Sequence, residues 1–141
     1  MDYKEILTIS GKSGLFKLIS QSKSSAVVES LTEHNRMPLF MSSKASSLEE
    51  IYLYTEEGSI ALKDVFQRIY AHTKGEKTID PKTAEPEMRS YLETIIPEYD
   101  RDHVHYSDMK RLFSWYNILL ENNLLVLGEE EKPEEAGQSE K

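Results

Sequence analysis

The chain has no cysteine, which rules out disulfides, thiolate nucleophiles and cysteine-based zinc sites. It also has no apolar run near the roughly 20 residues a membrane span requires. Its first residues, MDYKEILTIS, lack the basic and apolar regions of a secretory signal. A soluble, cytoplasmic protein is therefore expected, with no membrane partner. Basic charge is in deficit as well, since the net charge is −8. That deficit lies entirely in the second half. Residues 1–74 hold nine basic and nine acidic side chains, whereas residues 75–141 hold eight and sixteen. A sequence-blind binder of polyanions would need the opposite balance, so any nucleic-acid contact is expected from the front half.

What the sequence does contain is a change of apolar period near Leu62. Before it come short apolar runs cut by turns: Ile6–Ile9, Leu15–Ser20, Ala26–Leu31, Met37–Met41 and Ile51–Thr55, with Ile60–Leu62 as a short sixth. Adjacent valines at 27 and 28 favour a strand. Asn35 is expected to take the left-handed turn position between the third and fourth runs. Pro38 donates no hydrogen bond, so its strand belongs at an edge or a bulge. No helix-length crossover separates the runs, so antiparallel pairing is expected. The result would be a small antiparallel β-barrel.

After the break, Leu62, Val65, Phe66, Ile69 and Tyr70 fall on one helical face. Met88, Tyr91, Leu92, Ile95 and Ile96 do so again, with Pro86 in the first turn and Pro97 as the stop. Ser107 is expected to cap a third helix, whose apolar stripe is Met109, Leu112, Phe113, Tyr116, Leu119 and Leu120; Asn117 is expected to face solvent. The fold class is therefore α+β. A barrel domain with a terminal helix spans 1–72, a linker 73–83 and a helical domain 84–127. An acidic tail, expected to be disordered, covers 128–141.

Chemistry-bearing patterns are few. His103-Val104-His105, flanked by Asp100 and Asp102, is the only cluster with metal-ligand chemistry, and it needs a third ligand from Asp100, Asp102 or His72. The bland reading, a solvated loop between helices, is preferred. Ser10-Gly11-Lys12-Ser13-Gly14 looks superficially like a phosphate loop, but the position where a Walker glycine belongs is Ile6. No nucleophile elbow or paired acid occurs, so neither catalysis nor a cofactor is expected. The binding candidates are Lys12, Lys17, Lys23 and Arg36, interleaved with Phe16 and Phe40, because small barrels bind RNA or peptides through such faces. Trp115 either widens the core or belongs to a partner surface.

Through GKSGLFKLIS, AVVESL, MPLF, LEEIYLYTEEGSIALKDVF and SDMKRLFSWYNILLENNLL, the chain resembles a family of uncharacterised two-domain proteins of Bacteroidetes-type bacteria. The resemblance runs from about Ile6 to Leu127. It implies an SH3-like or KOW-like front unit and a small helical back unit, and it brings no catalytic residues. KOW-like folds elsewhere are often associated with ribosomes and transcription. The function expected is a non-enzymatic protein-interaction module, with an RNA- or ribosome-associated protein as the alternative. A protein partner or a weak homodimer is expected through Leu15–Ser20 or Met37–Met41, and no small-molecule substrate is evident.

Overall fold

The computed structural model describes residues 3–40 and 44–125. A 3-10 turn at Tyr3–Glu5 leads into strands β1 (Ile6–Ile9), β2 (Phe16–Gln21), β3 (Ala26–Ser30), β4 (Arg36–Leu39) and β5 (Ala45–Ser47). A second 3-10 turn, Leu48–Glu50, precedes the hairpin β6 (Tyr52–Thr55) and β7 (Gly58–Ala61). Helices α1 (Leu62–Thr73), α2 (Glu85–Ile95) and α3 (Tyr106–Glu121) follow. The architecture is mixed α+β. The first five strands form one antiparallel sheet in the order β4-β3-β2-β1-β5, and β6 and β7 form a separate two-stranded sheet. Among the described residues the ladder is not closed, and its edges are β4 and β5.

Three sequence expectations need correction here. The run Ile51–Thr55 does not join the large sheet; its strand pairs with Gly58–Ala61 across the short Glu56-Glu57 turn. Its other edge is held by the stretch before α3, where the Asp100 amide donates to the Tyr54 carbonyl at 3.0 Å and the Glu56 amide to Glu98 at 2.9 Å. The sheet's fifth strand is instead Ala45–Ser47, a polar segment paired with β1. Finally, β2 lies between β1 and β3, so a cross-strand contact through Leu15–Ser20 is excluded and only a contact through the sheet face stays open to it, whereas β4, which carries Pro38, has an unpaired edge among the described residues.

Alternation in the large sheet sends Ile9, Phe16 and Val28 into a small cluster, with Leu7, Leu18, Met37 and Leu39 packed around it. A bulge between Leu18 and Ser20 shifts the β2–β3 register, which bends the sheet. The main core lies elsewhere. It joins Tyr3, Ile6, Leu15, Leu31, Leu48 and Leu53 from the front of the chain to the buried stripes of all three helices. Tyr3 meets Phe66 of α1 edge-on at 5.7 Å between ring centroids. Leu124 and Leu125 pack against the same core; the tail from 128 lies outside the described residues.

Helix ends follow local chemistry. Pro86 sits in the first turn of α2, where its missing amide hydrogen costs nothing. The N-cap of α3 is His105 rather than Ser107, because the Asp108 carboxylate accepts from the His105 amide at 3.0 Å. An acid at the third helical position satisfies an end amide without a serine cap. His34, not Asn35, takes the left-handed conformation in the β3–β4 connection, at φ 61°.

The connection 73–83 is bound to the helices. The Thr78 amide donates to Asn117 Oδ1 at 2.9 Å, and the Thr78 hydroxyl donates to Tyr91 at 2.8 Å. Tyr106 donates to the Thr83 carbonyl at 2.6 Å. Asn117 is therefore half-buried and engaged, not solvent-facing.

A candidate basic groove and aromatic cleft

The β1–β2 connection and the start of β5 form one wall of a groove. Within this wall the Lys12 amide donates to the Ile9 carbonyl at 3.0 Å, closing the turn, and the Ser10 amide donates to the Lys44 carbonyl at 2.8 Å. These two bonds set Lys12 and Lys44 side by side although they are far apart in sequence. Gly11 and Gly14 have φ +86° and +83°, a region that side-chain-bearing residues rarely adopt. The opposite wall is α3, where Lys110, Arg111, Ser114 and Trp115 recur at the i, i+4 spacing of one helical side.

The groove encloses about 620 Å³ and is lined by four cationic side chains, several hydroxyls and Trp115, but among the described residues by no carboxylate. In a chain of net charge −8, that is a local reversal of sign. Arg111 Nη2 donates to Asp108 Oδ1 at 2.6 Å, which neutralises part of its charge. No ion pair among the described residues involves Lys12, Lys44 or Lys110. The Lys110 ammonium lies 5.0 Å from the Tyr106 ring centroid, close enough for a cation–π contact.

A second depression of about 300 Å³ adjoins the groove; Arg111 and Trp115 line both. It arises from the period of β6. Leu53 points into the core, so Tyr52 and Tyr54 point out and remain 57% and 59% exposed. Tyr54 meets the His103 ring edge-on at 6.0 Å between centroids. Groove and cleft together therefore bring cations, hydroxyls and three aromatic rings onto one surface.

The residues singled out in the sequence divide. Lys12 is in the groove. Phe16 is 4% exposed, packed with Ile9 and Val28, and borders a separate depression that Lys12 also lines. Lys17 and Arg36 both flank Glu29 in register, and Arg36 Nε donates to the Glu29 carboxylate at 3.1 Å. Lys23 sits in the β2–β3 turn, beyond the far end of β2 from Lys12. Phe40, after β4, is 62% exposed but borders neither groove nor cleft. Sequence reasoning missed Lys110, Arg111, Tyr52 and Tyr54 as site residues. The available clues were the Lys110-Arg111 pair one turn before Trp115, and the strict alternation of IYLYT.

The histidine pair does not converge on a metal site. His103 Nδ1 lies 2.7 Å from Asp100 Oδ2, His105 begins α3, and His72 packs edge-on against Tyr91 at 5.3 Å. Among the described residues, no three histidine, aspartate or glutamate side chains are placed to hold a metal ion. The hydrogen bond from His103 is the main cause that holds the Asp100 carboxyl below its ordinary value, aided by the Asp102 and His103 amides. No helix among the described residues is long and apolar enough to cross a membrane.

Two family models match the chain in tandem. A domain of unknown function, DUF5606, covers residues 3–48, and a second, DUF6852, covers residues 51–119. Their junction falls at the 3-10 turn before β6, whereas the change of composition in the sequence falls at 73–83; the main core crosses both positions. No curated protein matches. A solution NMR structure of a structural-genomics target from Bacteroides vulgatus is 34% identical, with a TM-score of 0.74, and the match covers 99% of this chain and 100% of that one. A relative of this identity over its full length answers the resemblance to Bacteroidetes-type proteins, and the chain belongs to one family with that Bacteroides vulgatus protein.

Proposed function

We propose that the chain is a non-enzymatic binding module for an extended anionic partner, received in the groove between the β1–β2 connection and α3. The observation that carries this reading is the lining: four cations and, among the described residues, no carboxylate in a chain where acids outnumber bases by 25 to 17. Chance placement of charge would bring carboxylates into the groove; a site for anions excludes them. The hydroxyls and the glycine-bearing turn add donors suited to phosphate or carboxylate oxygens. The non-enzymatic part of the reading rests on chemistry: the groove presents lysines and an arginine, with no adjacent base or nucleophile pair.

The SH3-like or KOW-like reading of the front unit belongs to the same proposal. It is supported by the β1–β4 meander with β5 returning beside β1. Both partner classes expected from the sequence, a protein and an RNA, fit a cationic groove, the protein where the segment it offers is acidic.

Trp115 is the only tryptophan, and it lies in the groove wall, so its emission reports occupancy directly. Titration with heparin should change Trp115 fluorescence in a salt-dependent way, whereas uncharged dextran should not. Lys12→Gln/Lys44→Gln/Lys110→Gln should abolish the response while leaving the far-UV spectrum unchanged. An unaltered response in that triple variant would reject the groove as the site.

A further inference from the structure

We infer that the anionic partner is a single-stranded nucleic acid, with its phosphates on the lysine groove and its bases stacked in the tyrosine cleft. This inference rests on the anion-binding reading of the groove above and adds the ligand class to it. Cations alone do not distinguish a phosphate backbone from a run of glutamates. The aromatic side chains do. Tyr52 and Tyr54 leave β6 on the same side, both more than half exposed, and Trp115 connects their cleft to the groove. A two-residue repeat along a strand separates like-facing side chains by roughly 7 Å, close to the reach of successive unstacked nucleotides. An acidic peptide gains nothing from such faces. A base gains a stacking contact that tolerates any sequence, because every base has a π-face. A duplex keeps its bases stacked on each other and cannot use the tyrosines, so the ligand is single-stranded.

The charges fit this division of labour. Lys12, Lys44 and Lys110 make no ion pair among the described residues, and they contact phosphate. Arg111 lines both depressions and is held by Asp108, so its planar guanidinium is oriented at the junction, where it can stack or hydrogen-bond. With three to four phosphates neutralised, the logarithm of affinity should fall against the logarithm of salt with a slope of roughly −2 to −3.

The test uses the full chain and fluorescein-labelled oligo(dT) and oligo(U) 12-mers, read by anisotropy and by Trp115 quenching. Both single strands should bind and quench, and the same sequence in duplex form should bind at least tenfold more weakly. Lys12→Gln/Lys44→Gln should reduce the salt slope by about 1 to 1.5. Tyr52→Ala and Tyr54→Ala should each weaken binding about tenfold, with the slope unchanged. Both tyrosines are exposed, and near-wild-type melting of these variants would establish that they fold.

If a poly-Glu peptide quenches Trp115 and no oligonucleotide does, the nucleic-acid inference fails while the anionic module stands. If heparin, peptide and oligonucleotides are all silent, both fail. Duplex binding equal to single-strand binding, or tyrosine variants equal to wild type, would overturn the stacking role and with it this inference.

Discussion

Asp100 shows how one half-buried side chain orders the approach to α3. Its Oδ1 accepts from the Asp102 and His103 amides at 3.0 and 3.3 Å, and its Oδ2 lies 2.7 Å from His103 Nδ1. These contacts, the His103 hydrogen bond first, lower its pKa. A carboxyl depressed by folding stabilises the native state above its unfolded value of ~3.9, and the contribution disappears as pH falls through the lower native value. Stability measured by urea unfolding should therefore drop below about pH 4. Asp100→Asn should be less stable than wild type at neutral pH and should lose less on acidification. Parallel pH curves for the two proteins would show that the carboxylate does not contribute.

Asn117 makes the companion case in a drier setting. Replacing it with alanine leaves the nearly buried Thr78 amide without its acceptor, a loss of roughly 1–3 kcal/mol. Phe113→Ala, at a fully buried position, should cost about 3–5 kcal/mol. Chemical denaturation of both variants checks the ranking, and a neutral Asn117→Ala would mean that water replaces its oxygen.

At the level of elements, the helices were legible because their apolar residues repeat on one face and are the ones buried: Leu62, Val65, Phe66 and Ile69 in α1, and Met109, Leu112, Phe113, Tyr116 and Leu119 in α3. β1 to β4 were legible as short apolar runs cut by turns. What the sequence could not display was partnership. IYLYT alternates as any half-buried strand does, and alternation does not say which sheet receives it; backbone bonds to 98–100 and to Gly58–Ala61 decide that. Ala45–Ser47 has no β propensity of its own and becomes a strand because β1 offers it an edge. The groove was illegible for a related reason. Lys12 and Lys44 reach one wall through the Ser10–Lys44 bond, and Lys110 lines the same groove only because α3 packs opposite. Pro38 was read correctly as an edge residue, because a missing donor is a local property. It also yields an expectation. Pro38→Val restores a donor to the free edge of β4, so it should strengthen self-association several-fold in sedimentation velocity. Phe40→Ser, which removes a 62% exposed ring beside that edge, should weaken it. A strict monomer for both at high concentration would dismiss the β4 edge as a homodimer surface.

For the whole molecule, two distributions matter: apolar area and charge. The main core draws side chains from Tyr3 to Leu119, so unfolding should be a single transition seen alike by circular dichroism and by Trp115 emission. Charge is distributed in the opposite manner. The four groove cations occupy one surface, while residues 128–141 alone carry six Glu and two Lys, half of the net −8. Negative charge carried on the same chain opposes the approach of an anion to the groove. The repulsion acts over a Debye length, about 30 Å at 0.01 M salt and about 8 Å at 0.15 M. Ending the chain at 127 should accordingly tighten oligo(dT) or heparin binding several-fold in low salt. The gain should shrink towards nothing at several hundred millimolar, with the melting temperature unchanged. A gain that persists at high salt would show that the segment competes for the groove by contact instead of repelling ligands at a distance. No gain at any salt would show that the groove is electrostatically independent of the chain that follows it.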